Sequence, residues 1–169
     1  IYVLDAKERH ILVFDAQGSS LNSIGRSGQG PGEMQNPQAI QITPQGEILV
    51  YDLQADQILF FSLSGEFLRY VSTAAWPNLS KPLIDSRGGI VADYSVPGPI
   101  FRRELSKFDA RLEPEYTIHN LELFEMPVMQ AMFPEFFWRI TEDDRIIWGY
   151  STRYELQILD SGGKPLGMI

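Results

Sequence analysis

EILVYDLQADQILFFSLSGEFLRYV, residues 47–71, reads as three short strands joined by two tight turns. The apolar runs 48–51, 58–62 and 67–71 are rich in Ile, Leu, Val, Phe and Tyr, which favour strands. The breaks at 53–56 and at Ser64-Gly65 carry turn chemistry. Just upstream, 39–43 is a further strand, closed by Pro44-Gln45-Gly46. The unit is therefore four short antiparallel strands, and no 3.6-residue periodicity runs through it.

The same unit recurs. IYVLDAKERHILVFDAQGSSLNSIG from Ile1, GIVADYSVPGPIFRRELSKFDARLEPEYTI from Gly89 and RIIWGYSTRYELQILDSGGKPLGMI from Arg145 align beneath it. Asp5, Asp52, Tyr94 and Tyr150 close one apolar run in each copy, and Asp15, Ser62, Asp109 and Asp160 close the next. The two markers lie 10 residues apart in three copies and 15 apart in the third, which carries an insertion of five. Successive second markers are 47, 47 and 51 residues apart. Four strands per 40–50 residues at fixed spacing is the pattern of propeller blades. The expected fold is all-β, a β-propeller fragment of four-stranded antiparallel blades. It forms a single partial domain over 1–169, with blades at about 1–25, 26–72, 73–118 and 119–169. Blade one starts at its second strand, so ring closure is expected to need further blades or a second chain.

Residues 24–71 also resemble an NHL-type repeat. Gly25, Gly28, Gly30, Gly32-Glu33, Pro37, Gly46, Asp52, Ile58 and Gly65-Glu66-Phe67 carry the likeness. The GQGPGE stretch is similar to that of NHL-like bacterial six-bladed propellers. The third copy lacks the glycine-rich lead-in. The Asn usual in the hairpin before the third strand is replaced by residues 7–9 and 54–56. The resemblance implies six blades and a periplasmic or cell-surface location. Some NHL-like enzymes are lyases holding zinc with several channel histidines. This chain has only His10 and His119, at different repeat positions.

Composition narrows the function. The 169 residues are 44% hydrophobic and 21% charged, a globular composition, with a formal charge of −8. A nucleic-acid binder needs a basic footprint that this chain lacks. There is no cysteine, which removes disulfides, thiolate nucleophiles and Cys-based zinc sites. No stretch is long and apolar enough for a transmembrane helix.

Propeller connections sort onto two faces. Links between first and second strands, and between third and fourth, are short and uniform here. Links between second and third strands, and between blades, vary, and variable loops carry binding. Function is expected on that second face. The longest of these is 119–138, a loop expected to open on His119, and its part 121–138 holds three of the five methionines within seven positions. Met-rich aromatic surfaces adapt to partners, so Phe124, Met126, Met129, Met132, Phe133 and Trp138 are candidate contacts for a protein partner. The alternative is that the segment packs over the neighbouring blade. Trp76, Tyr94, Arg102, Arg103, Tyr150 and Arg153 are candidate ligand contacts, or else fill gaps between blades.

Gly25–Gly32 resembles a phosphate loop, but a strand follows it where a helix would be needed. Its glycines are expected to supply positive φ angles at a tight crossing. Asp5 and Asp52 are expected to accept turn N–H bonds rather than to bind a cation. No catalytic residue, metal site or cofactor is assigned. The leading expectation is a non-enzymatic binding or scaffold module, and a further reading makes it a subunit of a larger envelope complex. The alternative is a propeller-type lyase or lactone hydrolase whose metal site lies partly in missing blades.

Overall fold

The computed structural model describes residues 1–99, 101–123, 135–151 and 154–169. Every regular element among them is a strand, and no helix is long and apolar enough to cross a membrane. Two compact units form, Ile1–Trp76 and Pro77–Ile169.

In the first unit, β1 (Tyr2–Asp5), β2 (His10–Phe14) and β3 (Ser20–Ile24) make a three-stranded antiparallel meander. The glycine-rich stretch contains two short strands, β4 (Arg26–Ser27) and β5 (Glu33–Met34), which pair in parallel. A four-stranded meander follows: β6 (Pro37–Ile42), β7 (Glu47–Asp52), β8 (Gln57–Ser62) and β9 (Phe67–Ser72). Ile48 pairs with Phe61 and Val50 with Leu59, so these four side chains share one face. They pack with Ile11, Val13, Ile24 and Met34 to form the core of the unit. The opposite face, with Leu49, Tyr51, Ile58 and Phe60, is buried as well. Burial on both faces explains why β7 and β8 read as continuous apolar runs rather than as alternations.

The second unit holds two four-stranded meanders: β10 (Ser80–Ile84), β11 (Ile90–Val96), β12 (Phe101–Phe108) and β13 (Pro114–Leu123), then β14 (Phe136–Ile140), β15 (Ile146–Tyr150), β16 (Gln157–Leu159) and β17 (Pro165–Met168). Val91 and Leu105 of the first sheet pack against Phe136, Trp138, Ile146, Trp148 and Leu159 of the second. The five-residue insertion lengthens β11 and β12 into a long hairpin, with Tyr94 opposite Glu104 and Val96 opposite Arg102. Residues 119–123, read from sequence as the start of a loop, instead continue β13. A bulge allows this: Leu105 pairs with His119 and Ser106 with Thr117, leaving Ile118 as the extra residue.

Candidate functional site

The bulge at Ile118 decides where two side chains point. Tyr116 lies opposite Lys107, and His119 lies opposite Leu105. Lys107 and Leu105 share a face of the sheet, and the bulge adds one residue, so Tyr116 and His119 both point to that face. Without the extra residue, one of the two would be turned to the other side.

His119 enters an aromatic cluster contributed by the next sheet. Its ring centroid is 4.8 Å from Trp148, 5.8 Å from the nearly parallel ring of Tyr150 and 6.0 Å from the edge-on ring of Phe136. A cavity of about 220 Å³ opens here, lined by His119, Trp148, Gly149, Tyr150, Glu155 and Gln157. Glu155 is in the link between the second and third strands of its sheet, the class of connection expected to carry function. Gln157 Nε2 donates to Glu155 Oε1 and lies 3.4 Å from Met168 Sδ. The pocket thus combines aromatic walls with a carboxylate and an amide. The indole N–H groups of Trp138 and Trp148 are buried without a partner among the described residues.

Of the candidates read from sequence, Tyr150 reaches this pocket. Trp138 is 3% exposed and is built into the core beside it. Phe124, Met126, Met129, Met132, Phe133 and Arg153 lie outside the described residues. Trp76 ends the first unit, half-buried, with its backbone N–H donating to Thr73 O at 2.8 Å. Tyr94, Arg102 and Arg103 all lie at the far end of the β11–β12 hairpin, but the register puts Tyr94 and Arg102 on one face of it and Arg103 on the other. There Arg103 Nε donates to Asp93 Oδ2 at 2.5 Å and Nη2 to Asn78 O at 3.3 Å, while Ser80 Oγ donates to Asp93 Oδ1. Sequence reasoning missed His119, Glu155 and Gln157. Of these His119 alone carried a signal, as one of two histidines, and it was misplaced in a loop.

Tyr94 is 8% exposed and donates to Glu104 Oε1 at 2.6 Å. Ser106 and Thr117 hydroxyls donate to the same oxygen at 2.9 and 2.7 Å. Burial, reinforced by that carboxylate, pushes the Tyr94 phenol up to about 12. At Glu104 burial opposes ionisation, but the three hydroxyls and nearby Arg102 outweigh it and hold the carboxyl below its ordinary 4.5. A carboxyl depressed in the folded state contributes stability above its unfolded pKa, and that contribution is lost as pH falls through the folded value. The melting temperature of the wild type should therefore fall more steeply below pH 4.5 than that of E104Q. Parallel curves for the two proteins from pH 7 to pH 3 would contradict this.

The acidic markers behave as turn acceptors. Asp52 takes N–H groups of Gln35, Asn36 and Ala55 at 2.6–3.1 Å, and Asp5 takes those of Lys7 and Glu8. Among the described residues no three His, Cys, Asp or Glu side chains gather as a metal site. In the glycine-rich stretch Gly25 and Gly32 take φ of 74° and 75°. Within the stretch the Glu33 carboxylate accepts Gly30 N–H at 2.8 Å and pairs with Arg26 at 2.7 Å.

Comparison with solved structures finds this architecture repeatedly. A Bacteroides fragilis protein assigned as exported is 15% identical with a TM-score of 0.72, over 97% of this chain and 46% of that one. A catalytically inactive virginiamycin B lyase from Staphylococcus aureus, solved with quinupristin, is 13% identical with a TM-score of 0.56, over 99% and 50%. Hydrazine synthase from Kuenenia stuttgartiensis is 13% identical with a TM-score of 0.58, over 95% and 49%. The chain spans about half the length of these proteins, and at such identities the likeness is one of fold. No curated protein matches the sequence. A family model described as 6-bladed beta-propeller matches residues 1–85, which is half of the chain. That match and the four successive meanders agree: this chain belongs to the 6-bladed beta-propeller family.

Proposed function

We propose that the chain is part of an exported, non-enzymatic binding propeller whose His119 pocket receives one basic side chain of a protein partner. The observation that carries this reading is the cavity itself: about 220 Å³, walled by His119, Trp148 and Tyr150 and edged by Glu155. That volume is below the range of drug-sized ligand sites and suits a single anchoring side chain. Flat aromatic faces beside a carboxylate favour a guanidinium, which stacks on rings and forks to an oxygen pair. The formal charge of −8 supports the same partner, because an acidic surface steers a basic one. Residues 124–134 join β13 to β14, the strands that carry His119 and Phe136. Their methionines and phenylalanines, which lie outside the described residues, are of the adaptable apolar kind that protein partners use. Export is inferred from the Bacteroides fragilis relative.

The test is co-purification from the native host with tagged full-length protein. Wild type should retain a partner that H119A/E155Q and F124S/M129S/F133S lose, with circular dichroism unchanged. Equal recovery of the partner by both folded variants would sink the reading. The enzymatic alternative draws on one observation, a histidine beside a tyrosine and a carboxylate in one pocket, which are acid–base groups. Stoichiometric zinc or calcium held by the purified full-length protein, with loss of activity on removal, would favour it.

A further inference from the structure

A second cavity of the same unit breaks the repeat's own rule. Counting back two residues from each second marker gives Val13, Phe60, Lys107 and Ile158. Three copies place an apolar side chain there, and the third places an ammonium that is 3% exposed. Its partner is changed as well. The first turn of each four-stranded sheet opens on Thr43, Asp85 or Thr141, and Lys107 Nζ donates to Asp85 Oδ2. The Asp85 side chain is itself 3% exposed. A third change makes room. Where Glu47 and Arg145 stand in the sister turns, Gly89 stands here, and a Cβ on it would lie 2.5 Å from Lys107 Nζ. Three matched departures at one point are not what packing alone asks for, because a buried ion pair rarely outperforms apolar residues in stability.

The pair forms the wall of a cavity of about 410 Å³. Arg87, Asp109, Glu115 and Tyr116 are among its other lining residues. The Tyr116 hydroxyl donates to Ser161 O at 3.1 Å. Burial, with the Glu115, Asp160 and Asp85 charges, pushes that phenol up to about 12, so it stays a donor at neutral pH. An ammonium has three N–H groups, and Asp85 takes one of those of Lys107.

We propose that this cavity is a saccharide site, with the Lys107–Asp85 pair at its base. The donors are Lys107 and Arg87, the acceptors are Asp109 and Glu115, and Tyr116 adds a ring and a hydroxyl. Two cations against three carboxylates leave little net field, so a strongly charged ligand gains little there. A neutral ring carrying many hydroxyls uses both kinds of partner at once. The volume lies within the range of small-ligand sites. Nothing here depends on the His119 pocket.

The test is saturation-transfer NMR on the full-length protein with glucose, galactose, mannose and N-acetylglucosamine, each at millimolar concentration. At least one sugar is expected to bind. D85T/K107I, which transplants the residues of the fourth copy, should fold with no lower Tm and bind that sugar about tenfold or more weakly. R87A, changed at an exposed rim residue, decides the matter should the double variant misfold, and should weaken the sugar about threefold or more. Absence of signal from every sugar overturns the proposal. So does unaltered affinity in the folded double variant, or in R87A where it stands as arbiter. Binding of inorganic phosphate or calcium without any sugar overturns it too.

Discussion

Replacing Asp85 by alanine should lower the unfolding free energy by about 3–5 kcal/mol, because it leaves the Lys107 ammonium, 3% exposed, without its counter-charge. The Asp85 carboxylate also accepts Arg87 N–H at 2.9 Å and Gly89 N–H at 2.7 Å, so D85A leaves two backbone donors without an acceptor. K107M is the gentler half of the pair. It removes the cation, but the carboxylate keeps both backbone donors, and the methionine fills a position that is apolar in the sister copies. A loss on the order of 2–3 kcal/mol is expected there. The combination D85T/K107I should return stability to the wild-type level or above it. Thr43 and Thr141 each accept the N–H four residues on, at 3.1 and 3.0 Å, so a threonine at 85 has a bond waiting. Urea denaturation of the four proteins gives the three differences directly. Losses that simply add would mean the two residues do not act as a unit.

The origin of the pair shows how far the residues could be read without coordinates. The meanders were legible wherever both faces of a strand are buried, as in β7 and β8, since continuous apolar runs between closely spaced turns are too short to be buried helices. The third sheet was harder. In β12 and β13, Arg102, Arg103, Glu104, His119 and Asn120 interrupt the apolar pattern, so the strand ends within the insertion and the end of β13 both passed for loops. Two of them find their partners elsewhere in the same sheet. Arg103 is held by Asp93, and Glu104 collects the hydroxyls of Tyr94, Ser106 and Thr117. Such pairing leaves no mark on hydropathy. A bulge is likewise a choice of backbone register, and a single added residue gives no signal until its neighbours are seen to pair. Lys107 was the exception. Its departure from Val13, Phe60 and Ile158 was visible in the aligned copies, but its burial was not.

Truncating Phe61 to alanine should cost about 3–5 kcal/mol, comparable with D85A but by a different route. Phe61 is 1% exposed at the centre of the first unit's core, among Ile11, Val13, Ile24, Met34, Ile48, Val50 and Leu59. Its ring meets that of Phe67 edge-on, with centroids 5.9 Å apart at 70°. The backbone of the glycine-rich stretch closes over both rings: a Cβ at Gly32 would lie 2.9 Å from Phe67 Cβ and 3.4 Å from Phe61 Cε1. A core walled by strands of two sheets and by this stretch cannot collapse far into the space a phenyl ring leaves. The loss should therefore include the cavity as well as the transfer of the ring to water. Leu68, 42% exposed on the adjoining strand, is the control, and L68A should change stability by no more than about 0.5 kcal/mol. Hydrogen exchange locates the effect. Amides of β2, β7 and β8 should open together with the lowered free energy in F61A, whereas those of β14 to β16 should respond less. A loss below about 1 kcal/mol would mean that the sheets of the first unit do not depend on this side chain to stay stacked.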